Sequence, residues 1–291
     1  MADYQIENEE IKAVVSDMGA QLISLVDKAT GTEYMWCRDK QYWGKCSPVL
    51  FPFIGRCMDK EYTYKGKTYP MTIHGFASDS VFEAESHKDK LTFTLRDSEE
   101  TLKIYPFKFT LTMEYTLKGR SLNIGYRVKN ENEDEMYFML GAHPGFNCPI
   151  DKDLKRRDCF VKFHGMDEIV SRGVDLDHGL VNEVYTVFGL KDECLPITDN
   201  LFEGDALLME NQGINKVSLT GPDKKPFVTV TMEASVYGIW SHPTPGMPYV
   251  CIEPWCGRCD SMNFEKELTK KDFVNRIDGG EEWLNTLTIE I

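Results

Sequence analysis

The sequence predicts an all-β protein made of antiparallel sheets, and three observations carry that expectation. The first is strict alternation. Between Phe107 and Leu117, the residues Phe107, Phe109, Leu111, Met113, Tyr115 and Leu117 share one face, while Lys108, Thr110, Thr112, Glu114 and Thr116 share the other. Such a period-two run suits a half-buried strand, whereas a helix would scatter those apolar side chains around its axis. The second is turn chemistry: Thr30-Gly31, Lys65-Gly66 and Gly221-Pro222-Asp223 punctuate short apolar runs with residues that favour reversal. The third is how few segments carry helical periodicity.

Taken in order, Glu61–Tyr64 and Lys67–Met71 flank Lys65-Gly66 as one hairpin, and Leu91–Leu95 is a further strand. Lys118-Gly119-Arg120 then turns the long alternating run into Leu122, Ile124, Tyr126 and Val128, a second hairpin. Asp151–Asp158 is polar enough for a surface loop. Val217–Leu219, Val228–Met232 and Leu287–Ile291 read as strands, and short helices are expected at Gly280–Leu287 and near Asp199–Phe202. No repeat and no low-complexity linker interrupts the pattern, so residues 1–291 are expected to form one domain of stacked sheets.

Composition excludes several partners. The formal net charge of −14 disfavours nucleic acid and anionic membrane surfaces. No run reaches the eighteen or so apolar residues that a membrane-spanning helix needs. Met1–Glu10 has neither a basic flank nor an apolar stretch, so it does not resemble a signal peptide. With nine cysteines scattered through apolar segments and no export signal, reduced thiols in a cytoplasmic protein are expected.

Two motifs stand out for chemistry. Gly141-Ala-His143-Pro-Gly-Phe146 and Cys251-Ile-Glu253-Pro-Trp-Cys256 each end an apolar run with a titratable residue just before proline. Proline holds its predecessor extended and interrupts pairing to a neighbouring strand, so each side chain is expected where a sheet opens. If Met136–His143 is one regular strand, Tyr137, Met139, Gly141 and His143 share a face; Tyr249, Cys251 and Glu253 share another. The plain alternative is a satisfied core histidine and an ordinary strand-end carboxylate. Two more polar residues follow apolar runs beside glycine: Arg56 in Leu50-Phe-Pro-Phe-Ile-Gly-Arg56, and His74 in Ile73-His-Gly-Phe76. Both suit donors aimed at ligand hydroxyls.

These four motifs, in this order and at these separations, resemble the aldose 1-epimerase (galactose mutarotase-like) family, in its short bacterial branch. The resemblance spans nearly the whole chain and implies an antiparallel β-supersandwich with few short helices. It further implies a cofactor-independent isomerase that interconverts the α and β anomers of a hexose. In those terms His143 is the general acid and Glu253 the general base, with Arg56 and His74 holding the sugar. Asp205, in Phe202-Glu-Gly-Asp205-Ala-Leu207, is the best match for the family's sugar-binding aspartate. Trp240 and Trp43 are candidate stacking platforms, for which core packing is the plainer reading. A small-molecule aldose is the expected partner, acting on a monomer or homodimer, with no metal.

Three rivals remain from the residues themselves. A non-catalytic sugar-binding protein of the same fold would keep Arg56, His74 and Asp205 without needing both His143 and Glu253. A hexose 6-phosphate 1-epimerase would need clustered cations, for which Lys152, Lys155, Arg156 and Arg157 are the local run. A zinc site could use Cys256-Gly-Arg-Cys259, although no second pair of ligands accompanies it.

Overall fold

The computed structural model describes all 291 residues. Strands account for 49% of them and helices for 6%, which places the chain in the all-β class. One nine-stranded antiparallel sheet runs in the order Cys194–Pro196, Phe160–Phe163, Lys216–Thr220, Pro226–Thr231, Glu282–Glu290, Ser121–Asn130, Phe109–Lys118, Lys90–Arg96 and Glu83–Ser86. An eight-stranded sheet has its long edge strand at Leu180–Gly189, then Glu168–Asp175, Leu207–Glu210, Val236–Trp240 and Tyr249–Cys256. It continues through Leu140–Ala142 to Val49–Leu50, with Gly145–Asn147 pairing the Tyr249–Cys256 strand as well. A three-stranded amino-terminal sheet and two hairpin-sized sheets complete the architecture. Both large sheets contribute to one cluster of 61 buried apolar residues, so burial of their inward faces is the main stabilising term.

The long hairpin forms as its alternation dictates. Phe109–Lys118 pairs with Ser121–Asn130 from Leu117 opposite Leu122 to Leu111 opposite Val128, and the apolar set is buried throughout its middle. The Lys65-Gly66 hairpin is likewise present, with Tyr62 opposite Tyr69.

The structure corrects both helix expectations and adds one helix that the sequence reading lacks. Gly280–Leu287 is not helical: Glu282–Glu290 is a strand between Ser121–Asn130 and Pro226–Thr231, with Leu287 and Ile289 buried on its inner face. The long-range ladder outweighs the local helical preference there. Asp199–Phe202 is a run of turns anchored by buried Phe202, over whose ring the Arg156 guanidinium sits at 5.5 Å. The one α-helix, Glu99–Ile104, escaped notice although Ser98 caps it: its hydroxyl accepts the Thr101 N–H, and Thr101 Oγ1 accepts the Ser98 N–H.

Candidate active site

Met136–His143 is not one strand. Met136–Phe138 pairs with Asn275–Ile277 in a small separate sheet, and Met139 turns its N–H to the Pro52 carbonyl at 2.8 Å. Leu140–Ala142 then joins the large sheet, so the shared face expected for Tyr137, Met139, Gly141 and His143 is broken at Met139.

What places His143 is the register with Tyr249–Cys256. Gly141 lies opposite Trp255, and Gly145 lies opposite Cys251. The count is unbroken across the gap, so His143 falls directly opposite Glu253. Pro144 and Pro254, which have no N–H, flank that position, and the ladder opens there. Directly opposed residues of an antiparallel pair project to the same face. The imidazole Nε2 accordingly stands 3.2 Å from Glu253 Oε2. Both side chains are buried, Glu253 to 1% exposure and His143 to 8%. His143 Nδ1 and Glu253 Oε1 have no protein partner.

Burial governs their protonation. Desolvation holds the His143 imidazole well below its ordinary value, with His74 and Lys45 adding like-charge repulsion. It lifts the Glu253 carboxyl well above its ordinary value, with Asp205 as a second cause. Each residue alone resists carrying charge, so the pair is most stable holding one proton between its two members.

The other expected residues converge on the same cavity of about 530 Å³, which is lined by His143, Glu253, Arg56, His74, Asp205 and Trp240 among others. That volume falls in the range of small-molecule sites. Two depressions of similar size, about 580 and 520 Å³, contain no histidine. His74 and Asp205 both adopt left-handed backbone, with φ of 63° and 73°. Such conformations are costly for non-glycine residues, although eleven others in this chain adopt them as well. His74 Nδ1 accepts the Gly55 N–H at 3.0 Å, which fixes the other nitrogen, Nε2, as an N–H donor. Asp205 Oδ1 accepts the Ala206 N–H at 2.9 Å. The exposed Arg56 guanidinium makes no hydrogen bond or ion pair within the protein. It passes close to Gly179, where an added Cβ would lie 2.7 Å from Arg56 Cδ.

Burial presses the His74 imidazole from 6.5 down to about 4, with Lys45 and Arg56 contributing like charge. Its folded value lies below its unfolded one, so its contribution to stability is present above pH 6.5 and is lost as pH falls toward 4. His74→Gln is therefore expected to flatten the loss of stability across that interval, by up to roughly 1.4 kcal/mol per pH unit. Denaturant unfolding at stepped pH reads this; an unchanged slope would assign the acid sensitivity to other groups.

Sequence reasoning missed Lys45 and Asp79. Lys45 Nζ bonds Ser78 Oγ and Asp79 Oδ1, both at 2.7 Å, on the cavity wall. Neither residue sits in a recognisable motif; Lys45 is marked only by sharing a loop with Trp43. The Lys152–Arg157 run lies elsewhere, and its Arg156 is buried with Nη1 on Ser241 Oγ at 2.8 Å. Cys256 and Cys259 also part company: Cys256 Sγ meets the Glu233 carbonyl and Asn285, whereas Cys259 packs in a different apolar cluster beside Gly55. Cys251 Sγ instead lies within 4.8 Å of donor atoms of His143 and Glu253, beneath the candidate acid and base.

A family model described as aldose 1-epimerase matches residues 2–283. The chain belongs to the aldose 1-epimerase family. This epimerase-family chain is 37% identical to a galactose mutarotase related enzyme from Lactobacillus acidophilus, with a TM-score of 0.92 over 99% of this chain and 97% of that one. A galactose mutarotase-like protein from Lactobacillus casei is 31% identical, with a TM-score of 0.90 over 99% of both chains. Protein LacX, plasmid, of Lactococcus lactis subsp. lactis is 28% identical over 281 residues, 94% of each chain. The galactose mutarotase-like fold expected from the motifs is thus the fold of this epimerase-family chain. None of its helices is long and apolar enough to cross a membrane.

Proposed function

We propose that this chain is an isomerase that interconverts the α and β anomers of a free hexose by opening and reclosing the hemiacetal ring. The observation that carries this reading is the opposition of His143 and Glu253, 3.2 Å apart at a break in the sheet and facing a sugar-sized cavity. Glu253 takes the proton from the C1 hydroxyl while His143 gives one to the ring oxygen. The open chain rotates about C1–C2, and closure on the other carbonyl face reverses both transfers. Imidazolium–carboxylate and imidazole–carboxylic acid differ only in where one proton sits. A sugar placing its ring oxygen at His143 and its O1 at Glu253 draws the proton to His143. Each positioned transfer contributes about 10²–10⁴-fold.

Arg56, His74 and Asp205 orient the sugar: a free guanidinium, a fixed N–H donor and a carboxylate acceptor. Trp240 supplies an apolar wall. Replacing Arg56 by leucine is expected to raise KM by roughly ten- to a hundredfold, the worth of about 1.5–3 kcal/mol for a charged hydrogen bond. An unaltered KM would remove Arg56 from the binding site.

The free sugar is preferred over its 6-phosphate because phosphate recognition wants clustered cations, whereas this cavity offers one unengaged cation, Arg56: the basic run at Lys152–Arg157 contributes nothing to it, and Lys45 is already engaged by Asp79. Anomer exchange of glucose, galactose and glucose 6-phosphate, followed by exchange NMR with spontaneous mutarotation subtracted, tests the proposal. Acceleration of a free hexose supports it. Acceleration of the phosphate alone transfers it to the phosphorylated class, and binding without acceleration leaves a sugar-binding protein.

A further inference from the structure

The His143 ring lacks the usual second anchor. A working histidine is ordinarily oriented by a hydrogen bond to its far nitrogen, yet Nδ1 of His143 is buried and finds no partner on any other residue, its own backbone being the one hydrogen-bonding group beside it. What holds the ring is packing. The Trp43 indole lies over the imidazole with centroids 4.7 Å apart and planes at 26°. Trp43 is in turn stacked on Tyr249 at 5.8 Å and 16°, and Tyr249 on Trp36 at 4.3 Å and 29°. Trp36 closes the assembly by donating its indole N–H to the Trp43 carbonyl at 2.8 Å. Trp240 meets both His143 and Trp43 edge-on at 5.7 Å.

The approach of indole to imidazole depends on Gly145, two residues beyond His143. A Cβ there would stand 2.7 Å from the Trp43 ring, inside contact distance. The glycine of the His-Pro-Gly sequence is thus explained by clearance for Trp43.

We infer that Trp43 is a positioning residue: its indole orients the His143 imidazole by face-to-face packing in place of a hydrogen bond at Nδ1, and stabilises the imidazolium over the neutral ring. An aromatic face attracts a cation through its quadrupole, and the attraction grows where water is excluded. The groups facing His143 from its other neighbours divide by sign. Glu253 on the opposite strand favours the cation. His74 and Lys45 oppose it, and the buried thiol of Cys251 is neutral. Trp43 therefore works with Glu253 to keep a protonated acid available in a site whose burial resists charge. The inference rests on the acid role proposed for His143, but its first readout does not.

That readout is the titration of the His143 imidazole by nitrogen-15 NMR in the sugar-free protein, for the wild type, Trp43→Leu, Trp43→Phe and Gly145→Ala. Trp43→Leu is expected to lower the midpoint by about 0.5–1 pH unit, Trp43→Phe to restore most of it, and Gly145→Ala to lower it by displacing the ring. In anomer exchange, Trp43→Leu is expected to cut kcat by about ten- to a hundredfold, with KM changed by less than about threefold. Should Trp43→Leu not fold, the contrast between Trp43→Phe and Gly145→Ala decides. Equal midpoints in all folded variants, or a rise in KM alone, would overturn the inference; the latter would make Trp43 a sugar platform. Absence of catalysis in the wild type with the midpoint shifts intact would sink the proposed function and leave the stacking effect standing.

Discussion

His143→Asn is expected to lower kcat for anomer exchange by about 10²–10⁴-fold while leaving sugar affinity within a few-fold. Asparagine keeps a polar side chain, but its amide ends about where Nδ1 stood, short of Nε2, and it cannot carry the proton to the ring oxygen. The binding groups Arg56, His74 and Asp205 lie on other segments, and of these only the His74 ring packs against His143, edge-on at 5.8 Å. The fold should also persist: His143 Nδ1 bonds no other residue, so the substitution removes the contact to Glu253 and the ring packing against Trp43 and Trp240, but no ladder bond. Binding can be read by calorimetry and turnover by exchange NMR on the same sample. Near-normal turnover would remove His143 from the chemistry.

Glu253→Gln is expected to be of similar size and to change the shape of the pH profile as well. In the wild type the competent site holds one proton on the pair. Adding a second requires an imidazolium beside a neutral acid, which burial opposes, so the acid limb lies well below the ordinary histidine value. Removing the only proton requires a carboxylate beside neutral imidazole, which burial also opposes, so the alkaline limb lies well above the ordinary glutamate value. Broad activity across neutrality follows, with apparent constants that belong to the pair. In Glu253→Gln the carboxyl titration is gone. Residual activity should then track the protonated His143 alone, declining as pH rises. A bell of unchanged width in this variant would show that another carboxylate is the base.

Legibility in the sequence followed the range of the forces involved. Alternation in Phe109–Lys118 is local and announced itself, because every second side chain meets the same core. Glu282–Glu290 did not, since its identity as a strand is imposed by two neighbours distant in sequence. The pairing of His143 with Glu253 lay between. The proline after His143 does mark a gap in the ladder, whereas Pro254 lies within the unbroken strand Tyr249–Cys256, still paired with Val236–Trp240; that His143 faces Glu253 depends on a register spanning more than a hundred residues. Arg56 and His74 are legible as polar residues that follow apolar runs beside glycine, and Asp205 and Trp240 only through the family resemblance; all four line the cavity. Lys45 carried no motif, and its place on the wall comes from a loop conformation fixed by Ser78 and Asp79. From sequence, Trp43 is a candidate sugar platform or core residue. Its packing against His143 depends on the clearance at Gly145, which no periodicity reveals.

The most direct test of the central claim is the rate of α to β exchange of free hexoses by the wild-type protein and by His143→Asn/Glu253→Gln together. Acceleration above the buffer rate is expected for the wild type, and a double variant no slower than the worse single variant, because the two groups serve one coupled transfer. Wild-type protein that binds a hexose yet leaves its exchange at the spontaneous rate would contradict it.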